Sequence, residues 1–322
     1  MNKCKLSTVI VCFGVFALFN VANALVVSDP GQLVPVPKEI SSCISKVGEI
    51  QTALTNLKEN LSAIGDKVNS ISEFNKDVSL KNPDNQCKMA SAANDSVVNN
   101  IKSIATAQSG IANILKMAQS TKKDLADGIV IQTNNLIKTA SLQNSEKIKE
   151  NVTANFENVK ELGAILSENV NEAFDTALNT VNKNAQKSHQ ALTELRKMAM
   201  VEEKLEAEEK DAWRSDELNK REQAVSDEGI NMIEVAHEQY NREYKEKFSD
   251  ELNNYQKVVL AYAEGNVDQN EVIKAGEQFK IAVANINVFL NEKKISDYEI
   301  SATKIQNEVE SATQNIIRRI RA

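Results

Sequence analysis

Proline is scarce in this chain, with four residues and none beyond Pro83. Histidine is scarcer still, with only His189 and His237, and aromatic residues make up 5% of the whole. Each shortage excludes something. A long stretch without proline that also lacks alternating β-branched runs between turn clusters is written for helix, not strand. Two histidines so far apart, with no HExxH and no Cys/His pairing, do not make a zinc site. There is no Gly-rich phosphate loop and no GxSxG elbow. No cofactor, no metal and no enzymatic activity are therefore expected, and the many carboxylates read as surface charge. The formal net charge is −7. An acidic chain without a basic stripe repels phosphate backbones, so nucleic acid is not an expected partner.

The first 24 residues read as a leader. Lys3 and Lys5 precede an apolar run from Thr8 to Phe19, and Ala22-Asn23-Ala24 supplies the small-x-small pattern that signal peptidase accepts. The run is shorter than the roughly 20 apolar residues of a spanning helix, which argues against an uncleaved anchor. Export to a periplasm, cell surface or exterior follows, and the chain then loses two lysines, taking its formal charge to −9. No later stretch is long enough to span a membrane. The best candidate, "IAVANINVFL" at 281–290, is about half of a span.

Behind the leader comes a strap, residues 25–37, that is apolar and broken by Pro30, Pro35 and Pro37. A long helical bundle region follows at 38–200. Its first helix is expected to run from 38 to 80, with a turn at "KNPDNQ" and a second helix from about Lys88. In the mature chain only Cys43 and Cys87 remain. In an exported protein such a pair reads as one disulfide, the alternative being two unpaired or intermolecular thiols. Cys43 opens helix one and Cys87 lies past its end, so the bridge requires that helix to break or fold back near Gly65-Asp66.

Ile148, Val159, Val170, Val181 and Leu192 recur at intervals of eleven, which is three turns at 3.67 residues per turn. With Val152, Phe156, Leu166, Ala173, Phe174 and Ala177 they form one apolar stripe. A lipid-surface helix would want a dense Lys/Arg border, which is missing, so the stripe reads as bundle or coiled-coil core. Residues 201–228 carry eleven acids against five bases and read as a charged, solvated helix with a possible break at Ser226 and Gly229. The C-terminal helical region, 229–322, brings an aromatic face of Tyr240, Tyr244, Phe248, Leu252, Tyr255, Val259 and Tyr262. A turn capped by Gly265 follows, then a helix from Val272 toward Leu290. A last helix is opened by a capping box at Ser296 and Glu299, burying Ile305, Val309, Ala312 and Ile316. The expected fold is all-α, an elongated helical bundle or coiled coil with a smaller helical appendage.

Val26, Val27, Asp29, Pro30 and Leu33 of the strap, followed by the helical apolar residues Ile50, Leu54, Leu57 and Leu61, resemble the start of the minor pilins. These are the pilus-tip proteins of type IV secretion and conjugation systems. The resemblance covers about 40 residues. It implies a non-enzymatic structural or adhesion subunit of the apparatus, acting in pilus assembly and cell contact. Its partners would be other apparatus or pilus subunits and a recipient or host cell surface, with the strap as the contact. Two other readings stay open: a generic exported coiled-coil adhesin or envelope spacer, and an α-helical pore-forming toxin that would use 281–290 as its apolar segment.

Overall fold

The computed structural model describes residues 37–68, 82–139, 145–201, 208–288 and 290–321. They form α1 (Lys38–Gly65), α2 (Pro83–Thr139), α3 (Ser145–Val201) and α4 (Glu208–Tyr240). A π-helical segment (Asn241–Glu246) leads into α5 (Lys247–Ala263), α6 (Gln269–Ala284) and α7 (Glu292–Arg321), with no strand among the described residues. The protein is an all-α helical bundle.

The helix ends follow from local chemistry. Pro37 is buried and its carbonyl accepts from the N–H groups of Ile40 and Ser41, so α1 starts at Lys38. α2 starts five residues earlier than Lys88 because Pro83 occupies the first helical position, where a missing N–H costs nothing. Asn82 caps it, its side chain accepting from the N–H of Asp84 at 2.9 Å. α5 ends at a paired cap. The N–H of Asn266 donates to the Ala261 carbonyl and that of Gly265 to the Tyr262 carbonyl, both at 2.9 Å. That geometry puts Gly265 at φ +77°, a conformation that suits glycine.

Other helix ends also differ from the sequence reading: α1, expected to run to residue 80, ends at Gly65. α7 begins at Glu292, capped by Asn291, whose side chain accepts from the N–H of Lys294. Ser296 is thus inside the helix, and its capping-box spacing with Glu299 is a coincidence of composition. The buried face of α7 runs through Tyr298, Ala302, Ile305, Val309 and Thr313, whereas Ala312 and Ile316 are only half-buried. α6 stops at Ala284, so 281–290 is not one apolar helix.

The chain folds as two compact units, each assembled from stretches distant in sequence. The first gathers residues 37–52, Ile114–Val170 and Glu238–Val288. Its core holds Ile40 and Cys43 from α1, Ile129 from α2, Phe156 and Leu162 from α3, and Phe248, Tyr255, Phe279 and Val283 beyond. Tyr240, Tyr244 and Phe248 stack in succession, with centroids 4.9 and 5.6 Å apart. Three steps of four residues, from 240 to 252, would drift about 40° each around a 3.6-residue helix. The wider π turn over Asn241–Glu246 takes up that drift, and all four side chains end up buried.

The second unit gathers Ala53–Asn113, Asn171–His237 and residues 290–321. α1 supplies Leu54, Leu57 and Leu61 to it, continuing the alternating steps of three and four that begin at Ile40. Gly229 does not break α4, which runs unbroken to Tyr240. Its missing side chain instead admits close neighbours, since a Cβ there would lie 2.6 Å from both Ile104 and Tyr298. The eleven-residue stripe of α3 is buried from Ile148 to Leu192.

Candidate functional site

α4 enters the second unit through the charged stretch. From Glu217 to Glu228, Lys220, Gln223, Ala224, Asp227 and Glu228 are exposed, while Asn219, Glu222 and Ser226 are buried. Their spacing of three and four marks one helical face, and it is the backward continuation of the buried positions Ile230 and Ile233. Over residues 217–228 the charged helix therefore turns a polar face inward.

Glu222 is the centre of that face and is only 1% exposed. Its Oε1 accepts three hydrogen bonds: from Asn100 Nδ2 of α2 at 3.0 Å, Ser188 Oγ of α3 at 2.9 Å, and Ser226 Oγ of its own helix at 3.2 Å. Ser226 Oγ also accepts from Asn100 Nδ2 at 2.9 Å. These donors are all neutral. Among the described residues no lysine or arginine pairs with the carboxylate. Burial raises the Glu222 pKa, and the bonds from Ser188, Asn100 and Ser226, with nearby His189, offset only part of the rise. The Tyr298 hydroxyl, buried on α7, is pushed up first by burial and then by Glu222 and Glu228.

Beside Glu222 lies a cavity of about 220 Å³ lined by His189, Ser226, Asp227 and Asn182 among others. His189 Nδ1 is buried there without a hydrogen-bond partner among the described residues. Ser188, next to it in sequence, directs its hydroxyl to Glu222 instead. The arrangement is a buried carboxylate and an imidazole nitrogen facing one polar cavity, with the capacity to hold a proton or a cation. His237, the other histidine, is a packing residue: it stacks on Phe174 at 4.6 Å and its Nε2 meets Asn171 Oδ1 at 3.1 Å.

Among the described residues of the first unit one cation is buried. Lys122 is 2% exposed, donates to the Ile286 carbonyl at 2.8 Å, and sits 5.2 Å from the Tyr244 ring centroid. Burial pushes its pKa down to about 8, with Glu243 acting in the opposite direction. Together with Gln119, which donates to the Val288 carbonyl at 2.7 Å, it holds the irregular backbone that follows α6.

The disulfide between Cys43 and Cys87 does not form. Both are free, buried thiols, Cys43 in the first unit and Cys87 in the second. α1 is continuous to Gly65, so Cys43 stays about 33 Å short of its end at 1.5 Å per residue, and no fold-back occurs within it. The Cys43 thiol is instead within reach of the Glu39 and Thr121 carbonyls, at 3.1 and 3.6 Å. Burial, then Asp124, push its pKa up to about 12. The leader positions Ala22 and Ala24 and the strap positions Val26, Val27, Asp29, Pro30 and Leu33 lie outside the described residues. The helical residues Ile50, Leu54, Leu57 and Leu61 are all bundle core.

No helix among the described residues is long and apolar enough to cross a membrane, and no three His, Cys, Asp or Glu side chains there group to hold a metal ion. Compared with protein-family models, with curated proteins and with solved structures, the chain matches none.

Proposed function

We propose that the protein is a non-enzymatic, exported structural and adhesion subunit of a type IV secretion or conjugation apparatus, acting in pilus assembly and cell contact. The observation that carries this reading is the division of labour at the N-terminus. Ile50, Leu54, Leu57 and Leu61, the helical half of the pilin-like stretch, are spent on the protein's own core. The strap before Pro37 is apolar and punctuated by Pro30 and Pro35, and an extended apolar segment is suited to a groove or sheet edge of another subunit. The all-α bundle of long helices is the kind of scaffold that the resemblance implies, and the leader-like first 24 residues fit export.

The test is deletion of residues 25–36, sparing Pro37 because its carbonyl starts α1. Helical content and melting temperature are expected to stay nearly constant while incorporation into the surface assembly is lost. Normal incorporation would refute the reading. So would release of a dye trapped in liposomes by the intact chain, since that outcome belongs to a pore former.

A further inference from the structure

We propose that the cavity beside Glu222 binds a small primary ammonium group, carried by a short alkyl amine or by the ammonium ion itself. This inference does not depend on the apparatus reading. A carboxylate removed from water is costly to keep ionised unless a positive partner is near. Glu222 is almost wholly buried, yet its three hydrogen-bond donors are neutral and all converge on one oxygen. Around the cavity the chemistry is acceptor-rich and acidic: Glu222, the exposed carboxylate of Asp227, the side chain of Asn182 and the unpartnered Nδ1 of His189. No described lysine or arginine lines it. An anion would be repelled.

The choice among cations follows from the same lining. A transition metal wants three or four protein ligands, and the described residues gather no such group. A quaternary ammonium has no N–H to donate and is usually held by aromatic faces, of which the lining has none. A primary ammonium offers three donors to a site with at least three acceptors, and charge-assisted bonds of this kind are the strong ones. Size is compatible, because about 220 Å³ is several times the roughly 30 Å³ share of one water. Ala185 and Ile230 add an apolar wall on which a short methylene stem can lie. The site thus favours an alkyl ammonium over the bare ion.

The test uses the full chain with ¹⁵N-labelled histidine, observed by NMR at mildly alkaline pH. The probes are propylammonium, ammonium and tetramethylammonium chlorides, each against sodium chloride at equal ionic strength. Propylammonium should shift the His189 ring resonances saturably and leave those of His237 in place, with ammonium weaker and tetramethylammonium inert. Ammonium saturating more tightly than propylammonium would assign the site to the ion. Glu222→Gln, checked for fold by circular dichroism, should weaken binding about tenfold or more. Asp227→Asn, at an exposed position, should weaken it a few-fold and decides the matter if Glu222→Gln does not fold. The proposal is overturned by an absent or unsaturable shift, by an equal response to tetramethylammonium, or by wild-type affinity in the variants.

Discussion

The same four helices, α1 to α4, supply both compact units, yet the units are filled in different ways. In the first, the interior is dense with rings: Phe156, Tyr240, Tyr244, Phe248, Tyr255 and Phe279 are all buried, and Lys122 is the one buried charge among the described residues there. In the second, Asn100, Gln108, Asn184, Ser188, Asn219, Glu222 and Ser226 are buried among mostly aliphatic side chains, with fewer rings, Phe174 and Tyr298, among the described residues. Aromatic burial supplies stability through area and contact. A buried polar seam supplies little net stability, but it penalises any packing that leaves its groups unpaired. The first unit is thus organised for strength and the second for one particular register.

The largest expected effect tests the strength of the first unit. Phe279 is 2% exposed, stacks on Tyr255 at 5.5 Å and packs on Phe248 at 6.3 Å. Phe279→Ala should cost about 3–5 kcal/mol in urea unfolding. A loss under about 1 kcal/mol would mean that the rings are not the source of that unit's stability.

The next effect comes from the buried charge in that same unit. The Lys122 pKa lies at about 8 in the folded protein against an ordinary 10.5. Between these values the unfolded chain holds a proton that the folded protein has released, so stability should climb as pH rises from about 8 to about 10.5. The gain should be about 3 kcal/mol. Lys122→Met should remove this climb, and an unchanged profile in the variant would place its source elsewhere.

A smaller effect is expected from Glu222, with the pH dependence reversed. Its folded pKa is raised by burial, so the stability that it contributes is complete below its ordinary value of 4.5 and is lost as pH rises through the folded pKa. Glu222→Gln keeps an acceptor for Asn100, Ser188 and Ser226 and removes the charge. Stability at neutral pH should rise by about 1 kcal/mol and its fall above pH 4.5 should flatten. Destabilisation at neutral pH would mean that the charge itself is needed.

The smallest expected effect is none at all. Reduction should not change the electrophoretic mobility or melting temperature of a chain comprising residues 25–322. Intact-mass analysis after denaturing alkylation without reductant should find Cys43 and Cys87 both modified. A bridged mass would contradict the two free thiols.

How far the sequence revealed these two interiors depends on what fills them. The eleven-residue stripe, the aromatic face after residue 239 and the Gly265 cap were legible because apolar spacing and glycine chemistry are local signals. Glu222 was not, because inside an acidic run a buried carboxylate looks like its exposed neighbours. A signal did exist: stepping back from Ile233 and Ile230 by threes and fours passes through Ser226, Glu222 and Asn219. The cysteine pairing was not legible because two thiols in a chain read as exported suggest a bridge, while their placement depends on tertiary assembly. Asn291 is hidden by a better-known capping pattern that starts five residues on.

The π turn has an evolutionary corollary. From Tyr240 to Leu252 is twelve residues, but with one absorbed in the wide turn the remaining eleven make three turns, the same count that aligns α3. The turn is therefore where this helix carries its slack. Losing one residue among 241–246 would let the backbone close into ordinary helix while everything downstream kept its facing. A lineage of such proteins could vary in length at that point, and almost nowhere else along its buried stripes, without rotating Phe248, Leu252 and Tyr255 out of their core.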